Sequence, residues 1–558
     1  MRTDFATVRT NFTSAIAMKK KARRSHPQWS GVLFAAFALV HTTLGGAQSV
    51  DWSSYNGTLS ADHFSPLTEL TRSNVGSLRE VCTFDTGEHI GFQAVPVVIA
   101  GTMFVTTDTA TYAFDATNCQ PKWRNSHRYS PLSILANNHG VAFMNGRLFR
   151  TSNDGHAYTI DAKTGKTLWD VPFGDPSKGE TAPIAPLAWN GLVFVGNAGG
   201  DNFGVTGRVY ALDAGDGHVV WQFNVVPDTG EARRTWTKES PRNPPTGGGL
   251  WTSFSMDGGN GILYAPAGNP APDFAISLHP GANLYTNAVI ALDAKTGRML
   301  SYVQPTKGDF HDWDVSAAPA VITTRNGKQL LAVAGKSGLL YGIDRSAARP
   351  TDTAPGTYKI LYSTPTTTRS NVNTPLTTKA WTRFCPGTQG GTEWNGPAYN
   401  PDLNLVYVAA ADWCSSVKLQ RLDTLKGAAG KPWTGSDDQK APFGHCDPKS
   451  SWKGWVTAID ADNGKALWKY RAPTPLLGGI TATASELVFS GDLNGDVFAL
   501  DGRTGKVLWR AATNNAIGGG VITYGVAGHQ YVAVSAGLKS VIWPVNSQSA
   551  RVVVYALP

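Results

Sequence analysis

Apolar and polar residues alternate along this chain in short runs, and the runs recur. The phrases YTIDAKTGKTLW (158–169), YALDAGDGHVVW (210–221), TAIDADNGKALW (457–468) and FALDGRTGKVLW (498–509) share one pattern. Each reads as an alternating strand, an Asp/Thr/Gly turn, a short second strand and a terminal Trp, which is one β-hairpin per repeat. Weaker copies stand at 112–123, 290–301 and 341–350. No heptads or long amphipathic windows compete, so the pattern predicts an all-β repeat protein.

Turn chemistry explains the residue types. Asp can accept a hydrogen bond from backbone two residues on, and Gly supplies positive φ. The motif aspartates are therefore expected to be turn formers rather than chemical groups, and the terminal Trp a packing residue that buries its ring against the next repeat. Asp115, Asp161, Asp213, Asp293, Asp344, Asp460 and Asp501 are separated by 46, 52, 80, 51, 116 and 41 residues. The widest gap leaves room for a unit without a marker, and PAYNPDLNLVYVAAADW (397–413) reads as its strands. Seven marked units and this degenerate one predict an eight-bladed β-propeller with tryptophan-docking motifs. The last residues, ARVVVYAL (550–557), resemble the first half of the motif, which suggests ring closure by pairing of the two chain ends.

Composition sharpens this picture. The chain is 41% hydrophobic and only 16% charged, with 60 Gly, 33 Pro and 18 Trp. It is longer than eight minimal blades of roughly 40 to 45 residues require, so long inter-strand loops are expected, where sites reside. The first segment stands apart: a basic run (Lys19, Lys20, Lys21, Arg23, Arg24), an apolar stretch at 32–40 and small residues before Ala47 read as a signal peptide over 1–47, with the propeller over 48–558. The apolar stretch is too short for a membrane span, and no Cys follows it for lipid attachment. Residues 1–47 hold seven of the basic residues against one acid, so the net charge of +8 falls to about +2 after cleavage. Nothing supports nucleic-acid binding.

Export to the periplasm would permit disulfides among the five cysteines. Cys82 precedes the first hairpin and Cys119 occupies its turn, while Cys385 and Cys414 bracket the degenerate unit. Pairing them so leaves Cys446 free. None has the C-x-x-C-H spacing for covalent haem, so any electrons must leave through a separate carrier.

The residues outside the repeat carry the functional signal. Asp201 lies in a Gly-rich loop with Gly199 and Gly200, Asn269 between Gly and Pro, and Asp312 and Asp314 two apart, on one side of an extended segment. Carboxylates with an amide oxygen suit a hard cation such as Ca²⁺, although Asp and Asn in such loops are more commonly turn formers. The stretches GGDNFGVTGRVYALDA, GNPAP, GANLYTNAVIALDAKTG, the Asp-Trp-Asp segment and GGITATASELVFSGDLNGDVFALDGRTGKVLW together resemble the alcohol dehydrogenases dependent on pyrroloquinoline quinone (PQQ), across nearly the whole mature chain.

That resemblance implies roles. Metal-binding positions of the family fall on Asp201, where Glu is usual, and on Asn269. Asp314 matches an extra acid of the lanthanide-using branch, so the expected cofactors are PQQ and Ca²⁺ or a lanthanide ion. The catalytic base falls on Asp312. His311 stands where the family has Trp, and a shift placing Trp313 and Asp314 in those roles is the alternative. Lys336 matches the cation that contacts the quinone oxygens, Trp251 the aromatic floor beneath the quinone, and Trp543 a further cofactor contact. Departures are equally informative. The family's adjacent cysteine pair is replaced by Ser133 and Ile134, its following Arg by His139, a quinone-contacting Glu by Gln93, and an Asn by Glu393, beside Trp394. These fit a divergent branch resembling polyvinyl alcohol dehydrogenase.

The implied activity is oxidation of an alcohol, short or polymeric, to an aldehyde or ketone, with soluble cytochrome c as electron acceptor. Two other readings compete: a non-catalytic propeller scaffold built from the same repeats, and a propeller enzyme that has lost PQQ. Nothing in the sequence specifies an oligomeric state.

Overall fold

In the second repeat, strand His156–Asp161 pairs antiparallel with Thr167–Pro172. Asp161 ends the first strand, and its carboxylate accepts hydrogen bonds from the backbone N–H groups of Lys163 (3.2 Å) and Thr164 (2.7 Å). The same bond to backbone two residues on recurs at Asp115, Asp213, Asp293, Asp344, Asp460 and Asp501. The motif aspartates thus set turns, as expected.

The terminal Trp docks on the turn of the next repeat. Trp169 Nε1 donates to the carbonyl of Ala214 at 3.1 Å, and its ring lies where a Cβ on Gly217, at φ 83°, would approach to 2.8 Å. Trp123, Trp221 and Trp468 make the equivalent bonds to Ala162, Ala294 and Gly502. In the Asp344 repeat Tyr362 takes the place of Trp and donates to Ala461 at 3.0 Å. At these five junctions one hydrogen bond and one half-buried ring tie a repeat to its successor.

The computed structural model describes residues 49–130, 135–237, 239–346 and 355–558. The expected signal peptide and the positions Ser133 and Ile134 lie outside them. Among the described residues, antiparallel sheets of four principal strands follow one another over 97–126, 142–172, 187–224, 255–303, 320–365, 398–472 and 481–512. An eighth such sheet joins 517–556 to the N-terminal strand Arg79–Asp85, with Arg79 opposite Ala556 and Asp85 opposite Arg551. The expected pairing of the chain ends is therefore present. Apolar side chains fill the space between neighbouring sheets: Phe149 of one packs with Val193, Val195 and Tyr210 of the next. This is the all-β propeller architecture anticipated from the repeat.

One assignment is corrected. Residues 397–413 are not a separate unit: Ala398–Asn400 and Leu405–Asp412 are the first two strands of the Asp460 sheet, completed by Lys453–Asp460 and Ala466–Ala472. The unit without a marker is the closing sheet, whose third and fourth strands come from opposite ends of the chain and so have no turn between them. The wide gap before Asp460 is filled by long loops carrying a small three-stranded sheet, Thr382–Phe384, Ser415–Val417 and His445–Cys446. Disulfides join Cys82 to Cys119 and Cys385 to Cys414, and Cys446 is free.

Candidate active site

In an antiparallel meander the segment entering the first strand and the segment leaving the second lie at the same end of the sheet. Gln93, Trp251, Asp312, Asp314, Glu393 and Trp394 precede first strands. Asp201, Asn269 and Lys336 follow second strands. Each therefore reaches the same end of its own sheet, and all of them, with Gly199, Gly200 and Trp543, line one cavity of about 260 Å³.

Two close backbone approaches shape its wall. Gly199 has φ 92°, and a Cβ there would lie 2.1 Å from the carbonyl oxygen of Gly179; one on Gly268 would meet Asp314 Oδ1 at 2.6 Å. Asp309 folds the loop that carries both acids, its two carboxylate oxygens accepting from the N–H groups of His311 (3.1 Å) and Trp313 (2.8 Å). His311 and Trp313 stack on each other at 4.1 Å in a cluster with Phe384. Asp312 and Asp314 instead line the cavity. The two acids share a side as expected, but not in extended chain: Asp312 is at φ 64°.

Lys336 is the centre of the charge arrangement. Its Nζ lies 3.0 Å from Asp312 Oδ1 and 2.9 Å from Asp314 Oδ2, and 5.6 Å from the centre of the Trp251 ring. Asp314 Oδ1 accepts the backbone N–H of Asn269 at 2.8 Å, and Asp201 lies within electrostatic reach of Asp314 and beside the Asn269 side chain. Asp314 thus belongs with the Asp201 and Asn269 side of the cavity, and Asp312 bonds only Lys336.

Burial and crowding set the protonation states. Burial disfavours the Lys336 charge, but Asp312, Asp314, Glu393 and Asp201 outweigh it and hold the ammonium well above its usual range. Burial, opposed by Lys336 and reinforced by Asp314 and Asp201, raises Asp312 well above the carboxylate range. Asp201 is pushed up to about 6 by burial and by Asp314. Glu393 is pushed up to about 7, again chiefly by burial.

His139 departs from expectation. It does not line the cavity but sits behind it, its ring 6.2 Å from Trp251 and 5.9 Å from Trp394, with neither nitrogen hydrogen-bonded. A shorter, less basic side chain than Arg retracts from the cavity and is desolvated instead. Gln93 does line it and accepts from Asn137 at 2.6 Å. Trp394 is anchored by a bond from Nε1 to Gly518 at 2.8 Å, and Trp543 packs 5.0 Å from Trp413.

Sequence reasoning missed Asp273, which is fully buried and whose two oxygens accept no hydrogen bond. A lone acid after Pro in a turn-rich loop carries no signal that separates it from a turn former.

The residues present fit a quinone and a hard cation. The cavity gathers Asp201, Asp312, Asp314 and Glu393 around one lysine, and Glu393 Oε1 accepts no hydrogen bond. Oxygen donors from Asp201, Asn269 and Asp314 suit Ca²⁺ or a lanthanide. Trp251, Trp394 and Trp543 offer flat apolar surface to a flat ring.

Comparison with known proteins gives consistent results. The family described as "PQQ: Glucose/ethanol/alcohol dehydrogenase, beta-propeller domain" matches residues 52–352 and 362–532. Quinohemoprotein alcohol dehydrogenase ADH-IIG of Pseudomonas putida is 30% identical over 524 residues, covering 87% of this chain and 72% of that protein. The dehydrogenase subunit of the quinone-type alcohol dehydrogenase of Gluconacetobacter polyoxogenes is 30% identical over 535 residues, covering 87% and 71%. Among solved structures, quinohemoprotein alcohol dehydrogenase of Comamonas testosteroni superposes with a TM-score of 0.79 at 25% identity, covering 92% of this chain and 81% of that one. A europium-containing methanol dehydrogenase shares the fold, with a TM-score of 0.78 at 24% identity over 91% and 98%.

Proposed function

This chain belongs to the PQQ-type glucose/ethanol/alcohol dehydrogenase β-propeller family, and on that premise we propose that it oxidises an alcohol to an aldehyde or ketone, using bound PQQ and a Ca²⁺ or lanthanide ion. The observation that carries the reading is the convergence of Lys336 with Asp312, Asp314, Asp201 and Asn269 in one tryptophan-lined cavity.

Roles follow from the geometry. Asp201, Asn269 and Asp314 would hold the cation, and Trp251, Trp394, Trp543, Gln93, Glu393 and the Gly199–Gly200 backbone would bound the quinone. When bound, the quinone supplies a two-electron acceptor activated by the cation as a Lewis acid. Asp312 takes the alcohol's hydroxyl proton at Oδ2, since Oδ1 is engaged by Lys336. A carboxylate raised above its usual range by burial is a stronger base than one in water. Lys336 stays charged and offers positive charge where negative charge develops. Asp314 accepts the Asn269 N–H on the proposed cation side, whereas Asp312 bonds only Lys336, which favours the register with Asp312 as base over the shifted alternative.

Periplasmic residence and cytochrome c as acceptor complete the reading. Support for periplasmic residence is the expected signal peptide. Among the described residues no helix is long and apolar enough to cross a membrane. A pure scaffold gives no reason for buried acids crowded around one lysine. The departures at Gln93, Glu393 and His139 support a branch resembling polyvinyl alcohol dehydrogenase. The test is reconstitution: chelator-treated protein is assayed for dye reduction with primary, secondary and polymeric alcohols. Turnover should require both PQQ and a cation, and turnover without quinone, or none with any alcohol, would overturn the proposal.

A further inference from the structure

Asp273 lies four residues beyond Asn269, on the same loop, and is fully buried. Neither carboxyl oxygen accepts a hydrogen bond. Its backbone is fixed from both sides: Ala271 pairs with Thr246, and the N–H of Phe274 donates to the carbonyl of Thr434 at 2.8 Å. A buried carboxylate without hydrogen bonds is costly as a bare anion, and native interiors satisfy one with a proton or a cation. Lys336, the cation within its electrostatic reach, is already bonded to Asp312 and Asp314. Burial, reinforced by Asp201, Asp312 and Asp314 and opposed by Lys336, holds its carboxyl well above the usual carboxylate range, so without a cation it keeps its proton. The acids on this side of the site therefore exceed what one lysine can balance.

We propose that Asp273 is a further acid of the cation site, acting through its charge to make that site favour a trivalent over a divalent ion. The inference rests on the cation reading given above. A cation bound nearby displaces the Asp273 proton to solvent, and the negative charge so gained attracts a trivalent ion about half as strongly again as a divalent one at the same distance. A neutral replacement therefore costs the trivalent ion more. Asp273 does not line the cavity, so its effect is on the cation's charge balance and not on the alcohol.

The experiment is a Tb³⁺ titration of the full-length, quinone-free protein, read by tryptophan-sensitised luminescence, with Ca²⁺ as competitor. The wild type should prefer Tb³⁺ by at least about a hundredfold, and Asp273→Asn should reduce that preference by about tenfold. Asp314→Ala serves as the control. If it weakens Tb³⁺ binding while Asp273→Asn leaves the Tb³⁺ to Ca²⁺ ratio unchanged, the role of Asp273 is overturned and the cation site stands. If neither substitution alters Tb³⁺ binding, the cation site is elsewhere and both readings fall. Should Asp273→Asn not fold, Asp273→Ser and the wild-type preference decide, and equal wild-type affinity for the two ions overturns the proposal.

Discussion

At the scale of single residues, the sharpest contrast is between two acids two positions apart. Asp312 bonds only Lys336, whereas Asp314 also accepts from the Asn269 backbone. Asp312→Asn should lower turnover by at least about 10² while leaving cation and quinone binding intact. Asp314→Ala should change which cation supports activity. The reverse pattern in steady-state kinetics would mean that the register is shifted by two. His139 offers a second test, because burial pushes its pKa down to about 3. In the unfolded chain it protonates near the ordinary value of about 6.5. Between these values the unfolded state binds more protons, so the stability that neutral His139 contributes is complete above about 6.5 and is lost as pH falls towards 3. His139→Phe should make the acid-side loss of stability shallower by up to about 1.4 kcal/mol per pH unit in urea melts. An unchanged slope would show that His139 does not stay neutral in the fold. The sequence made Asp312 and Asp314 legible through the resemblance to the family, and their common side is set by the loop that Asp309 folds, with Asp312 in a left-handed conformation and not in extended chain. Asp273 was illegible because its distinction is burial without partners, which only the packed loop creates.

At the scale of elements, the hairpin turn and the Trp that docks on it form the unit of assembly. Gly217 is held at φ 83° with the Trp169 ring against it, whereas Gly327, at φ 77°, has nothing within 4 Å. A left-handed backbone costs a non-Gly residue about 1–2 kcal/mol, and forced overlap in a packed contact about 1–3 kcal/mol more. Gly217→Ala should therefore lower the unfolding temperature clearly more than Gly327→Ala, as read by thermal denaturation. Equal losses would show that the docking contact carries no energy. The same turn explains what could be read from sequence. Wherever Asp and Gly bracket a turn, the strands were placed correctly. The strands at 398–412 were separated from their own turn at Asp460 by long loops, and local alternation cannot reveal which distant strand a strand pairs with.

At the scale of the whole molecule, the closing sheet and the tryptophan-lined cavity belong together. Pairing of Arg79–Asp85 with Arg551–Ala556 brings the last sheet beside the first. Residues far apart in sequence, from Gln93 to Trp543, can then line one cavity. The central claim is that this cavity holds a quinone through a cation. Its most direct test is a titration of the chelator-treated protein with PQQ, followed by quenching of tryptophan fluorescence. Saturable binding of one quinone per chain that requires Ca²⁺ or a lanthanide is the predicted result, and binding that is absent, or equally tight with chelator present, would contradict it.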